Sequence, residues 1–283
     1  MTESEKRPLI VGFVADLMFA PRIANVARHL NFDIKWIESA VDLGVDQANT
    51  LPVILGESLH GQEGRLFENI TAWQPALLIF DLNNNNVPWR RWLALLKSSA
   101  ATRRIPAICF GPHEDVAVMT AAKEAGADAV LARSRFTANM PQLIQQYARL
   151  PDQQAIDAAC QEPLADLARQ GIVKFNAGLY YQCHDDLEEA WKLDQTPGRD
   201  LYRSILQIGI ALYQIERENY RGAVKMLLRV RQWLEPLPEY CRGVNVGRLR
   251  LNAQVIYEEL LNLGEEKLGK FNWELVEPVE FED

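Results

Sequence analysis

The sequence predicts an α/β domain followed by an all-α one: a doubly wound parallel sheet of five strands, then a helical bundle of stacked antiparallel hairpins. Three observations predict this. Over residues 8–148 short, β-rich apolar runs alternate with stretches of helical period. After Pro151 the strand pattern stops and long amphipathic stretches take over. The chain of 283 residues exceeds one ordinary core and suits two domains of about 100–150 residues each. The expected division is 1–150 and 151–283, with a linker near Leu150–Pro163.

Leu9–Ala15 is a continuous apolar run, as a strand buried on both faces requires. Pro21 then opens a helix with Ile23, Val26, Ala27 and Leu30 on one face. Asp33–Ile37 is a short second strand. Residues 38–61, punctuated by Gly44, Pro52, Gly56 and Gly61, read as an inserted loop with room for one short element. Leu66–Trp73 is helical and Pro75 stops it. Ala76–Phe80 is the third strand, Trp89–Lys97 a helix, Ile105–Phe110 the fourth strand, Val116–Ala125 a helix and Ala129–Leu131 the fifth strand. Gln142–Ala148 closes the domain as a helix.

In the second half the expected helices are Pro163–Phe175, Tyr181–Leu193, Arg199–Glu216, Tyr220–Leu234 and Asn245–Leu263. Gly178 is available for a left-handed turn after Asn176. Only the tail, WELVEPVEF, alternates weakly like a strand. Tyr180 and Tyr220 open two similar segments about 40 residues apart, a helical-hairpin period that resembles tetratricopeptide-like stacking.

Composition narrows the functional classes. No apolar run approaches the roughly 20 residues of a membrane span, and the start of the chain lacks a signal-peptide cleavage site. The four cysteines form no metal-like spacing and are expected as reduced thiols in a cytoplasmic protein. The formal net charge is −8. The first 150 residues carry about 15 basic and about 15 acidic groups, so the excess acid lies in the second half. That argues against a nucleic-acid footprint. A protein partner or small ligand is expected; nucleic acid and membrane are not.

In such a sheet, ligands bind at the carboxyl ends of the strands. Asp16, Asp81, Gly111 and Arg133 lie there. Asp16 and Asp81 can hold a hard cation such as Mg²⁺ through oxygen; equally, strand-end Asp residues cap turns. His113 and His60 share that edge as polar surface residues. The order of Asp16, PALLIFDLN, IPAICFGP and AGADAVLARSRF resembles a response-regulator receiver domain. The resemblance implies a signalling role, Asp81 as phosphoacceptor, Asn83 as the metal's backbone ligand and Asp16 as one of an acidic pair. Ala15 stands where the second acid belongs, Gly111 where the switch hydroxyl belongs and Arg133 where a Lys belongs. The sequence thus resembles a degenerate receiver, a pseudo-receiver, expected not to run a phosphoryl switch.

In the helical half, His184 and Glu188 are one turn apart on one face, with Asp185 beside them. Such a pair can bind a divalent metal or act as general acid and base. The favoured reading is structural: a buried His184 hydrogen-bonded by Glu188 or a tyrosine. FNAGLYYQCHDDLEEAW, followed by LYRSILQIGIALYQIERENYRGAVKMLLRV, resembles the domain of unknown function 309 family of bacterial and plastid helical proteins. That resemblance spans about 165–235 and implies an all-α fold. It also implies a pocket drawn from Asn176, Tyr180, His184, Glu188, Trp191 and Gln207, with no reaction assigned. The expected function is a non-catalytic regulatory or adaptor protein coupling the two halves. The alternatives are a metal-dependent hydrolase or other enzyme on His184 and Glu188, and a response regulator phosphorylated at Asp81.

Overall fold

The computed structural model describes residues 7–44, 51–52, 58–59 and 61–282. Two compact units divide at Leu150 and Pro151, with Leu51–Pro52 grouped with the second.

The first unit is a five-stranded parallel sheet. Its strands are β1 (Leu9–Phe13), β2 (Asp33–Trp36), β3 (Leu77–Asp81), β4 (Ala107–Gly111) and β5 (Ala129–Ala132). They lie in the order 2-1-3-4-5, all parallel. This is the doubly wound order of flavodoxin-like folds, in which the switch point falls between β1 and β3. The central strands β3 and β4 are buried at every residue, which is why their sequences LLIFD and AICFG are continuous apolar runs rather than alternating ones.

Helices α1 (Ala20–His29), α2 (Gly61–Trp73), α3 (Trp89–Ser98), α4 (Val116–Glu124), α5 (Arg133–Ala138) and α6 (Met140–Tyr147) cover the sheet. Ile23 and Ala27 of α1 enter the core as the periodicity requires. Phe13 stacks on Phe80 at 4.1 Å, and Phe110 on Phe136 at 4.6 Å. Each fully buried aromatic of this kind contributes roughly 2–3 kcal/mol by area burial. The last helix departs from expectation. Helical structure starts at Arg133, directly after β5, and α5 and α6 are separated only by Asn139. In the 38–61 connection, Ser39 caps a 3-10 turn over Ala40–Leu43. His60 lies outside the described residues.

The second unit is helical: α7 (Gln153–Cys160), α8 (Asp166–Asn176), α9 (Cys183–Leu193), α10 (Asp200–Glu216), α11 (Tyr220–Leu234) and α12 (Val246–Leu263). Helix α7 occupies the stretch expected as a linker; Asp152 caps it by accepting from Ala155 N at 3.0 Å. Gly178 adopts φ 75°, the left-handed turn the sequence called for. Helix α10 is the centre of the bundle, with ten buried residues from Leu201 to Ile215. The tail forms a 3-10 turn at Trp273–Leu275 and a single bridge from Phe281 to Val244, not a strand.

Two of the four cysteines are not free thiols. Cys160 at the end of α7 is disulfide-bonded to Cys241 in a short hairpin, 81 residues away. Loop closure of that span stabilises the fold by about 4–5 kcal/mol on a chain-entropy basis. This corrects the reduced-thiol expectation, which rested on sequence spacing alone. Cys109 and Cys183 are free and buried. Burial pushes the Cys109 thiol far up and the Cys183 thiol up to about 12, so neither is a nucleophile at neutral pH.

Candidate functional site

The switch point of the sheet is filled by one side chain. Arg133 begins α5 where β5 ends. Its Nη1 donates to Asp16 Oδ2 at 2.8 Å, and its Nη2 donates to Asp81 Oδ2 at 2.7 Å and Oδ1 at 3.0 Å. The guanidinium also lies over Phe19 and Phe110, at 5.1 and 5.4 Å from the ring centroids. A planar fork spans two carboxylates and packs on aromatic faces, which a Lys ammonium at this position would not do.

The two carboxylates differ. Asp81 is 2% exposed. Burial pushes its carboxyl up, against the lowering pull of the Asn83 amide and Arg133. Asp16 is more open, and its hydrogen bonds from Arg133 and from the Met18 amide hold it below the ordinary carboxylate value. Asp16 Oδ1 accepts from Met18 N at 2.9 Å and Phe19 N at 3.0 Å. Asp16 is therefore a turn cap and an ion-pair partner at once.

This geometry bears on the Mg²⁺ expected at Asp16, Asp81 and Asn83. Asn83 presents its backbone amide to Asp81 Oδ1 at 3.0 Å. The carboxylate oxygens that would face a cation already accept from Arg133, whose fixed positive charge would repel it. No group of three or more His, Cys, Asp or Glu side chains able to hold a metal occurs among the described residues. The residues do not fit Mg²⁺. At the place of the switch hydroxyl, a Cβ on Gly111 would lie 3.1 Å from Leu82 Cβ, so a side chain there requires Leu82 to shift slightly. His113 is exposed and lies 3.9 Å from Glu114, which is exposed too.

The helical unit's candidates each have their own partners. His184 is a third exposed and its Nδ1 lies 3.4 Å from Asp185 Oδ1, while Glu188 pairs with Lys192 at 3.0 Å. The expected His184–Glu188 pair, and a buried imidazole, are therefore absent. Glu188 and Lys192 are four residues apart in the favourable acid-before-base order. Asn176 clamps the tail, with Nδ2 donating to Val279 O at 3.0 Å and Oδ1 accepting from Val279 N at 2.8 Å. Tyr180 stacks on Trp273 at 6.0 Å. Trp191 lies 4.9 Å from Arg203 Cζ, and Gln207 follows Arg203 by one turn on α10.

Sequence reasoning missed Arg242. It is 6% exposed and sits at φ 54° in the two-residue turn of the Tyr240–Cys241/Val244–Asn245 hairpin, followed by Gly243 at φ 77°. Its guanidinium pairs with Asp194 at 2.9 Å and Glu162 at 3.1 Å, and donates to Thr196 Oγ1, Ala159 O and the Tyr202 hydroxyl. The Arg-Gly pair between two β-compatible dipeptides was its one sequence signal.

Residues 168–226 match the family model described as a domain of unknown function, DUF309. An uncharacterized Bacillus subtilis protein, YpuF, is 34% identical over 94 residues, which are 31% of this chain and 53% of that protein. An uncharacterized Aquifex aeolicus protein is 24% identical over 106 residues, 37% of this chain and 30% of that one. The chain thus spans about a third to a half of the length of these curated relatives. Among solved structures, a response regulator receiver domain from Rhodospirillum rubrum matches at 21% identity, covering 51% of this chain and 97% of that one, with TM-score 0.37. The receiver domain of a sensor histidine kinase from Pseudomonas aeruginosa, solved with magnesium in its active-site cleft, matches at 10% identity over 50% and 98%, with TM-score 0.38.

Proposed function

We propose that this chain is a non-catalytic regulatory or adaptor protein: a pseudo-receiver, its acidic pocket neutralised from within by Arg133, joined to a helical module that engages a ligand or partner. The observation that carries the reading is the Arg133 fork on Asp81 and Asp16. A receiver uses a mobile Mg²⁺ and a phosphoryl group to change charge at this point. Here a covalently attached cation supplies that charge permanently, so the pocket has one state rather than two. His184 lies beside Asp185 and Glu188 pairs with Lys192, so each is engaged by a neighbour on its own helix.

The test is phosphorylation. Full-length protein incubated with acetyl phosphate and Mg²⁺ should carry no stoichiometric label by intact mass. Stable labelling that disappears in Asp81→Asn would contradict the proposal and restore the response-regulator alternative.

A further inference from the structure

We propose that the face shared by α9, α10 and α11 binds a multiply charged oxyanion, the phosphoryl or carboxylate group of a small molecule, among Arg199, Arg203 and Arg229. The proposal is independent of the state of the Arg133 pocket. Arg203 Cζ lies 4.9 Å from the Trp191 ring centroid and 4.0 Å from that of Trp233. Arg199 lies 5.5 Å from Trp191, and Arg229 5.3 Å from Trp233. Three guanidinium groups and two indoles thus interleave at one place, contributed by three helices and the turn that opens α10.

The charge at Arg199 and Arg203 is not balanced as it is at Arg133 and Arg242. Arg133 and Arg242 each hold two carboxylates within ion-pair distance. Arg199 and Arg203 hold none among the described residues; Arg199 donates to the Asp194 carbonyl at 3.5 Å, and both lie over indole rings. Asp200 attracts Arg203 from a distance, but burial and the charges of Arg229 and Arg199 disfavour its protonated form on balance. An anion seated here would relieve that repulsion. In a chain of formal net charge −8 such a cluster is a local exception, not part of a basic surface.

Hydrogen bonding points the same way. Trp191 Nε1 is buried without an acceptor, and Gln207 Oε1, one turn along α10 from Arg203, is buried without a donor. Buried polar atoms are normally satisfied. An oxyanion supplies the acceptor an indole N–H lacks, and a protonated oxygen or hydroxyl on the same ligand supplies the donor. Guanidinium forks match the paired oxygens of phosphoryl and carboxylate groups, and flanking rings hold those forks in place.

The experiment is calorimetric titration of the full chain with pyrophosphate and, separately, citrate, against sodium chloride at matched ionic strength, with thermal denaturation in parallel. The expected result is saturable binding with a dissociation constant in the millimolar range or below, a rise in Tm with the same anion, and no response to chloride. A response to pyrophosphate alone assigns a phosphoryl ligand, to citrate alone a carboxylate one, and to both an oxyanion read by charge. Arg203→Met and Arg229→Gln should each weaken binding by about tenfold or more. A purely structural Arg203 predicts a lower Tm in anion-free buffer for Arg203→Met; relief of repulsion predicts an unchanged or higher one. Two variants protect the test if one fails to fold. Absence of saturable binding to either probe, or equal binding in a folded variant, overturns the proposal.

Discussion

Arg133→Met should destabilise the α/β unit by about 3 kcal/mol, a Tm drop on the order of 10 °C. The variant removes the cation from Asp81, which is 2% exposed and cannot turn to water. Losing one member of a buried pair costs about 3–5 kcal/mol because the remaining charge is stranded. The lower end applies because Arg133 and Asp16 side chains are 32% and 35% exposed, so solvent screens part of the interaction. The double variant Arg133→Met/Asp81→Asn should recover most of the loss, since no buried charge then remains. Urea denaturation of the four proteins of the cycle measures this coupling. A single-variant loss below about 0.5 kcal/mol would place the ion pair among ordinary surface contacts.

Arg242→Met should cost the helical unit about 3–5 kcal/mol. Arg242 joins the hairpin to α7, α10 and the segment after α9 through four side chains and the Ala159 carbonyl, and the Asp194 side chain is 12% exposed. Its backbone N also donates to Cys160 O at 2.7 Å, beside the disulfide. Arg242→Lys should lose most of the same stability, because one ammonium cannot reproduce a fork that bonds in several directions. Chemical denaturation with the disulfide intact isolates the effect. A Lys variant as stable as wild type would mean that charge alone, not the fork, holds the hairpin.

The parallel sheet was legible because its strands are buried on both faces. LLIFD and AICFG can only be continuous apolar runs, and the helices between them carry their own period. Helix α7 was not, because QQAIDAAC is short, has Ile156 as its one large apolar residue and lies between Pro151 and Pro163, although its Asp152 cap was there to be read. The positions of Asp16, Asp81 and Arg133 at the strand ends followed from strand order. What did not follow was that one fork reaches carboxylates 117 and 52 residues away. The Cys160–Cys241 bond was invisible for the same reason. His184 and Glu188 failed as a pair because helical spacing states which side chains can meet, not which do. Lys192 stands at the same spacing from Glu188 and carries a full charge.

The central claim is that Arg133 supplies the cation of this pocket. The most direct measurement is a Mg²⁺ titration of the full-length protein, following backbone amide shifts of Asp16, Asp81 and Asn83 by NMR. The account predicts no saturable shift in wild type at millimolar Mg²⁺. Saturation at one Mg²⁺ per chain, abolished in Asp81→Asn, would contradict it.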